Sequence, residues 1–327
     1  TKGTHQYIGG IEHAVLHLLY ARFFTKALRD LGYVSAAEPF NALLCQGMVI
    51  GNSYLKADGA YLYPSEIEFK NNKAFEKKTG EEVKILPAEK ISKSKNNGDA
   101  PDALVEKYGA DTLRLYMLFT APPERDLEWS ETAIEGSWRY LNRVWVLAEE
   151  VKNIAENLPE FETLTEKIER DAFRKVHQTI KKVTTDINKF QYNTMVAACM
   201  ELTNDLQKLS NKNNQGAIKR FGTEILLQLL NPACPHITEE LWQILGNNTN
   251  LAQTNWPKCD TNIAKDEEIT LVIQLNGKTK NKLQVAADIT KNTAIETAKE
   301  NLSNQLEGIT IRKEIYVPGR LVNIVAN

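Results

Sequence analysis

From Glu131 to Leu245 nearly every apolar residue recurs at three- and four-residue spacing, and this stretch limits the available folds more than any other. Segments 131–157, 166–188, 191–211, 215–230 and 235–245 each carry such a stripe. Polar breaks at Asn157-Leu158-Pro159, Gln191-Tyr192-Asn193 and 211–214 separate them. The last segment opens on Pro235 with Glu239 and Glu240 close behind, a start suited to a helix first turn. Consecutive amphipathic helices with short breaks predict an α-helical bundle. Its cations (Arg139, Arg143, Lys181, Lys182, Lys189, Lys208, Lys212, Lys219, Arg220) line an RNA groove on one reading. On the other they are ordinary solvated helix faces, which is the expectation for most of them.

The whole-chain balance is neutral enough to matter here. A formal charge of −2 over 327 residues gives no global attraction to nucleic acid or membrane, so a polyanion must find a local patch. Four cysteines (Cys45, Cys199, Cys234, Cys259) are scattered without a Cys-x-x-Cys pair, which argues against a zinc ribbon and a disulfide scaffold. A reducing, cytoplasmic setting is the expectation. No apolar run approaches the length that spans a bilayer, and no signal-peptide pattern opens the chain. The chain starts Thr1-Lys2-Gly3 and soon enters what reads as the end of a buried strand, so a fragment or processed subunit is expected.

Before the bundle, His5 to Glu12 reads as an extended piece that ends in Gly9-Gly10. A helix follows, with Ile11, Val15, Leu18, Leu19, Phe23, Ala27 and Leu31 in period and Gly32 as its stop. Strand, paired glycines and helix let a nucleotide approach the backbone closely. His13 and His17 stand one turn apart on that helix. They read as substrate-contacting imidazoles, as a metal pair, or as satisfied residues at a core edge. No third ligand is evident, and no protein-bound metal is expected.

Gln46-Gly47 interrupts the apolar stretch 40–50, and a polar Gln there faces a cleft or bonds to backbone. Residues 51–82 read as a small hairpin-like insertion with Gly80 at a turn, followed by a short β run, Val83 to Leu86. Then comes Glu89-Lys90-Ile91-Ser92-Lys93-Ser94-Lys95-Asn96-Asn97-Gly98. Alternating lysines and serines closed by Asn-Asn-Gly predict a mobile, cationic loop. It is either a clamp for a phosphate that comes and goes, or a solvated turn. A helix pair follows over 102–119, with Asp111 as the expected N-cap of its second member.

Beyond the bundle, 251–266 reads as a linker. A small β-β-α-β-β unit follows: strands at 269–275 and 283–285 around an Asn276-Gly277 turn, a helix at 293–306, and strands at 309–317 and 321–325. Lys278, Lys280 and Lys282 are expected to alternate along one side of its hairpin, as a phosphate contact.

Tyr7-Ile8-Gly9-Gly10-Ile11-Glu12-His13, Gln46-Gly47-Met48, Lys90 to Gly98, Tyr108 to Arg114 and Leu141-Asn142-Arg143-Val144-Trp145 occur in that order. Together with Val317-Pro318-Gly319-Arg320-Leu321-Val322-Asn323 near the end, they resemble the C-terminal part of bacterial-type leucyl-tRNA synthetases. The likeness covers essentially the whole chain. It implies a multidomain α/β plus all-α protein. Residues 1–130 would be the second half of a Rossmann-like class I catalytic domain and 131–250 an anticodon-binding-type α-helical bundle. Residues 251–266 would be a linker and 267–327 a small C-terminal α+β domain that contacts tRNA.

The implied activity is ATP-dependent attachment of leucine to tRNA(Leu), with Mg²⁺ entering alongside ATP. Lys90 and Lys93 would neutralise the leaving pyrophosphate, and Ser92 and Ser94 would bond phosphate or fix the loop. Gly9 and Gly10 would admit adenine, Glu12 would accept from ribose hydroxyls, and Gln46 would contact the base side. His13 and His17 would face leucine or adenylate, with His13 also at ATP. Arg139, Arg143, Lys278, Lys280 and Lys282 would meet tRNA.

The sequence departs from the family at Ile91, where Met is usual in the loop, and at Lys280-Asn281, where Arg-Gly is usual. None of the five histidines falls in a His-x-Gly-His signature, which the family carries in its first half. The chain alone is therefore expected to be inactive, with the N-terminal half of the synthetase as a required partner. A tRNA-binding module without catalysis, or the same portion of an isoleucyl, valyl or methionyl enzyme, are the competing expectations.

Overall fold

The computed structural model describes residues 3–98, 101–155 and 157–327, and the chain divides into two units, 1–259 and 260–327. In the first unit, strand β1 (Tyr7–Gly10) lies parallel to β2 (Leu43–Gln46), with helix α1 (Leu16–Asp30) between them in sequence. Tyr33 N–H donates to Leu28 O and Gly32 N–H to Arg29 O, each at 2.9 Å, which closes α1 at the glycine read as its stop. None of the residues of β1 or α1 is buried, so β1 is not the end of a buried strand in this structure. Leu16, Leu19 and Phe23 run along α1 at helical spacing and stand open, Phe23 at 63% exposure. Parallel sheets are normally covered on both faces, yet among the described residues β1 and β2 pair only with each other.

Residues 49–90 form more than a single hairpin. Strands β3 (Val49–Leu55), β4 (Tyr61–Leu62), β5 (Ile67–Lys70), β6 (Lys73–Glu76) and β7 (Glu82–Lys90) pair antiparallel in the order β4-β3-β7-β6-β5. Tyr54, Leu62, Ile67, Ala74 and Val83 fill their core. The β5–β6 turn is made by Asn71 and Asn72, both at positive φ, a conformation that asparagine tolerates. Strand β7 continues to Lys90, so the first loop lysine sits on a strand end.

Helices α2 (Pro101–Tyr108) and α3 (Ala110–Thr120) follow, then the short β8 (Leu127–Glu128), which pairs parallel with β3. Asp111 does not cap α3. That position belongs to Gly109, and Asp111 lies buried in the first turn with its carboxylate committed elsewhere.

The bundle comprises α4 (Glu131–Val151), α5 (Lys167–Asn188), α6 (Tyr192–Gln207), α7 (Asn213–Leu230) and α8 (Pro235–Ile244). Each matches one of the periodic segments; Glu156, within the expected 131–157 span, lies outside the described residues. Val144, Leu147, Val176, Ile180, Leu202, Leu206, Ile218 and Leu226 are all but fully buried in its core.

Two cations from the expected solvated or RNA-facing set are inside instead: Lys219 is 3% and Arg220 2% exposed. Lys219 Nζ donates to Glu150 Oε2 at 2.7 Å and Asn211 Oδ1 at 2.8 Å. Arg220 donates to the carbonyls of Val151 (3.3 Å), Lys152 (3.2 Å) and Leu245, and to Glu224 Oε1 (2.9 Å). Long helices leave terminal carbonyls unpaired; Arg220 meets those at the ends of α4 and α8, and Lys219 Nζ also donates to Leu209 O at 3.3 Å, past the end of α6.

The second unit is a sheet in the order β10-β9-β12-β11, built from β9 (Glu268–Leu275), β10 (Lys278–Ala286), β11 (Ile311–Val317) and β12 (Leu321–Ala326). Helices α9 (Lys291–Asn301) and α10 (Ser303–Leu306) stand where one helix was expected. Leu271, Ile273, Ala294, Ala298, Val322 and Ile324 form the core of this unit. Asn276 and Gly277 turn the β9–β10 hairpin, both at positive φ, as the two-residue loop requires.

Candidate functional site

The Gly-Gly-Ile-Glu turn and the lysine loop meet. Gly10 closes β1, and a single turn of 3-10 helix, Ile11–His13, folds the Glu12 carboxylate back over it; a Cβ on Gly10 would collide with that carboxylate. Lys90 Nζ, 78 residues away in sequence, pairs with Glu12 Oε1 at 3.1 Å. The backbone N–H of Glu12, and then the Lys90 ammonium, hold this carboxyl below the usual carboxylate range.

The loop itself is held at both ends, which differs from the freely mobile run expected. Asn97, only 2% exposed, accepts from Ser92 N–H at 2.8 Å and donates to Lys90 O at 3.2 Å. Ile91 N–H donates to Val49 O at 3.1 Å. The Ile91 side chain fills the space beside two glycines: a Cβ on Gly98 would stand 2.6 Å from its Cγ2, and one on Gly51 would stand 2.8 Å from Asn97 O. Lys95 pairs with Glu89, whose other oxygen accepts from Ser53 Oγ at 2.8 Å. Those two partners, Lys95 first, lower the Glu89 carboxyl. Ser92 Oγ and Ser94 Oγ stand 3.3 Å apart. Two of the three lysines are thus engaged, while exposed Lys93 has no partner among the described residues.

Sequence reading gives Glu89 and Asn97 no role beyond membership of the loop and passes over Ser53, because their roles come from which strands they face. Asn97→Ala removes the acceptor for a main-chain N–H and is expected to destabilise the loop by about 1–3 kcal/mol. Hydrogen exchange at the Ser92 amide checks this. It should quicken about tenfold or more, while amides of the bundle core keep their wild-type rates.

His13 and His17 do come together, edge to face with ring centroids 6.0 Å apart, and His17 lies 5.4 Å from the Tyr7 ring. Tyr7 in turn packs 4.4 Å from Phe40. Both histidines are exposed, so the core-edge reading of them does not describe this structure. No group of three His, Cys, Asp or Glu side chains able to hold a metal lies among the described residues.

Gln46 is placed differently. It pairs with Gly10 across the β1–β2 ladder, and Ile8 pairs with Leu44. Strand alternation puts these even-numbered positions on one face and Tyr7 on the other. Gln46 therefore lines a separate cleft of about 710 Å³ with Ile8, Leu44, Val49, Met117 and Trp256, away from the histidine face.

The expected RNA cations divide. Arg139 is exposed and pairs with Glu135 at 3.2 Å. Arg143 reaches across to Asn204 and to Gln207 Oε1 (3.0 Å), tying α4 to α6. Near them Tyr108, Trp138, Asn142, Trp145 and His236 line a hollow of about 360 Å³.

Lys278, Lys280 and Lys282 are all exposed, but they do not form one stripe. Thr279 pairs with Gln274 and Asn281 with Ile273, so Lys280 is the extra residue of a β-bulge. Lys278 opposes Leu275 and Lys282 opposes Val272, which puts them on opposite faces of the sheet. The bulge turns Asn281 onto the helix face, where it donates to Asn301 Oδ1 at 3.0 Å.

Comparison with known proteins adds an independent line. A family model described as the anticodon-binding domain of tRNA ligases matches residues 169–295, and one for class I tRNA synthetases (I, L, M and V) matches 86–130. The leucine–tRNA ligase of Magnetococcus marinus is 44% identical over 98% of the chain, and that of a Cyanothece species 45% identical over 98%. The chain spans only 38% and 37% of those proteins. Among solved structures, the LeuRS of Agrobacterium radiobacter K84 (agnB2), in a ternary complex with tRNA and LeuAMS, superposes with a TM-score of 0.73 at 29% identity. That match covers 99% of this chain and 37% of that one. A methionyl-tRNA synthetase of Mycobacterium tuberculosis shares the fold at 15% identity and a TM-score of 0.50, over 75% of the chain and 45% of its own length.

Proposed function

The chain is a relative of the leucine–tRNA ligases over 98% of its own length, and on that premise we propose that it supplies the phosphate-facing half of a leucine-activating site together with a tRNA-binding body. The observation that carries this reading is the Lys90–Glu12 ion pair. It joins the glycine turn to the lysine loop and leaves Lys93 as the loop ammonium without a partner among the described residues.

In the first step the leucine carboxylate attacks the α-phosphate of ATP, and the bond to pyrophosphate breaks. Charge accumulates on the departing phosphates, and fixed donors beside it lower the barrier because they need no reorganisation. Lys93 reaches that charge, Ser92 and Ser94 offer hydroxyl donors, and Lys90 acts from its pairing with Glu12. Gly9 and Gly10 admit the adenine, Glu12 takes the ribose, and His13 and His17 face the leucine side. Gln46, on the opposite face of β2, serves the site from the cleft side. Mg²⁺ enters with ATP as part of the substrate. In the second step a terminal ribose hydroxyl of tRNA(Leu) takes the leucyl group and AMP leaves.

The site's other wall comes from the N-terminal half of the synthetase. The exposed stripe of α1 and the two-stranded parallel sheet are the surface that this half would cover, which supports the assignment. Residues 1–130 are then the catalytic half, 131–250 the anticodon-binding-type bundle and 267–327 the C-terminal domain. Arg139, Arg143, Lys278, Lys280 and Lys282 contact tRNA, the lysines from two sides of their sheet. The enzyme acts in the cytoplasm.

Leucine-dependent exchange of pyrophosphate into ATP tests the proposal. The chain alone should give none, and adding the complementary N-terminal portion should restore it. Exchange by the chain alone would sink the half-site reading. tRNA binding without exchange in either case would make the chain a binding module.

A further inference from the structure

We propose that Asp111 and Arg114 are positioning residues that set the bundle against the frame of the lysine loop during transfer to tRNA. The inference rests on the function proposed above. The two side chains are three residues apart on α3 and so share a face. Both reach the corner between α7 and α8, and each meets the backbone groups that suit its charge. Asp111 Oδ2 accepts from Ile237 N–H at 2.7 Å and Oδ1 lies 2.9 Å from His236 Nδ1, at the first turn of α8, where N–H groups lack helical partners. Arg114 donates from Nε to Ala233 O at 2.9 Å and from Nη2 to Pro232 O at 3.0 Å, just past the end of α7.

The same helix is bonded to the loop's frame on its other side. Tyr116, 1% exposed, donates to Glu128 O at 2.9 Å and accepts from Ser130 N–H at 3.0 Å. Strand β8 pairs Leu127 with Val49 and Glu128 with Ile50. Val49 O then accepts from Ile91 N–H, and Ile50 pairs with Lys90. Every link from α8 to Ile91 is a hydrogen bond or a strand pairing, with no long flexible segment between.

Apolar packing at such a corner tolerates sliding, whereas paired charges on main-chain groups fix direction as well as contact. A tRNA held on the bundle must bring its terminal hydroxyl to the adenylate, and a misplacement near 1 Å costs on the order of 100-fold in rate. Activation of leucine does not use the tRNA and should be spared. The clamp therefore belongs to the second step.

The test uses the full-length enzyme containing this chain. Asp111→Ala should slow single-turnover transfer from enzyme-bound adenylate to saturating tRNA by about tenfold or more. Leucine-dependent pyrophosphate exchange should stay within about twofold of wild type, and Asp111→Asn, which keeps an acceptor for Ile237, should recover most of the loss. Unchanged transfer, or transfer and exchange falling together with the folded fraction, overturns the proposal. A second reading needs no activity: the Ile91 amide should exchange deuterium faster in Asp111→Ala than in Lys175→Ala, whose exposed pair with Glu201 lies outside this path. Equal rates in the two variants overturn the coupling even if the enzyme proves to activate another amino acid. Loss of leucine-dependent exchange in the wild type would instead refute the proposed function.

Discussion

Lys93→Ala in the complete enzyme is expected to lower leucine-dependent pyrophosphate exchange by about 100-fold or more, the order of loss when one donor to developing charge is removed. The melting temperature should not change. Lys93 is exposed and unpartnered among the described residues, so the folded protein loses no contact. tRNA affinity should also hold, because the expected RNA cations lie on α4 and β10. Lys95→Ala makes the contrast. It breaks an ion pair with Glu89 and leaves that carboxylate on Ser53 alone, so it should loosen the loop while changing the rate less. Equal exchange rates for Lys93→Ala and wild type would remove Lys93 from the chemistry. A fall in tRNA affinity with exchange intact would make the loop an RNA contact.

Local period made much of this fold legible. The stripes in 131–245 mark α4 to α8 within a few residues, since an amphipathic helix writes its buried face into three- and four-residue spacing. Asn276-Gly277 marked its hairpin for a similarly local reason: only a few residue types accept two successive positive φ angles. The β3–β7 region was less readable. Its strands are as short as Tyr61–Leu62, and the Asn71-Asn72 turn lacks a glycine. The Lys278–Lys282 stripe failed because alternation presumes an unbroken ladder, and a bulge at Lys280 reverses the faces.

Of the site, the residue types were legible and the partners were not. Glu12 and Lys90 were both picked out, but their ion pair spans 78 positions. Asp111 shows the limit most plainly. An aspartate near a helix start reads as its cap, because caps and buried N–H acceptors prefer the same residue type. Its carboxylate instead serves the start of α8, a distinction that only tertiary structure makes. The α1 stripe was correctly read as apolar, and its exposure shows that period alone does not say which surface covers a face.

The largest stability effect is expected at Arg220. Sequence reads it as an RNA-facing or solvated cation, because its acceptors are mostly main-chain carbonyls, which sequence does not display. Arg220→Ala strips the donor from Val151 O and Lys152 O at the end of α4, from Leu245 O after α8, and from Glu224. Breaking a buried charged network from one side costs about 3–5 kcal/mol; Lys152 O, Leu245 O and the partly buried Glu224 lose this donor, while Val151 O keeps the Ile154 N–H. For a unit of this size that corresponds to a fall in Tm of roughly 6–20 °C. Arg139→Ala is the control: its pair with Glu135 is exposed, and such pairs contribute about 0–1 kcal/mol. Replacing Glu224 together with Arg220 by apolar residues should recover part of the loss, because it removes the orphaned carboxylate while Lys152 O and Leu245 O still lack this donor. Thermal unfolding followed by helical circular dichroism reads all three. A fall for Arg220→Ala no larger than that for Arg139→Ala would mean that the two helix ends are held by apolar packing and not by this guanidinium.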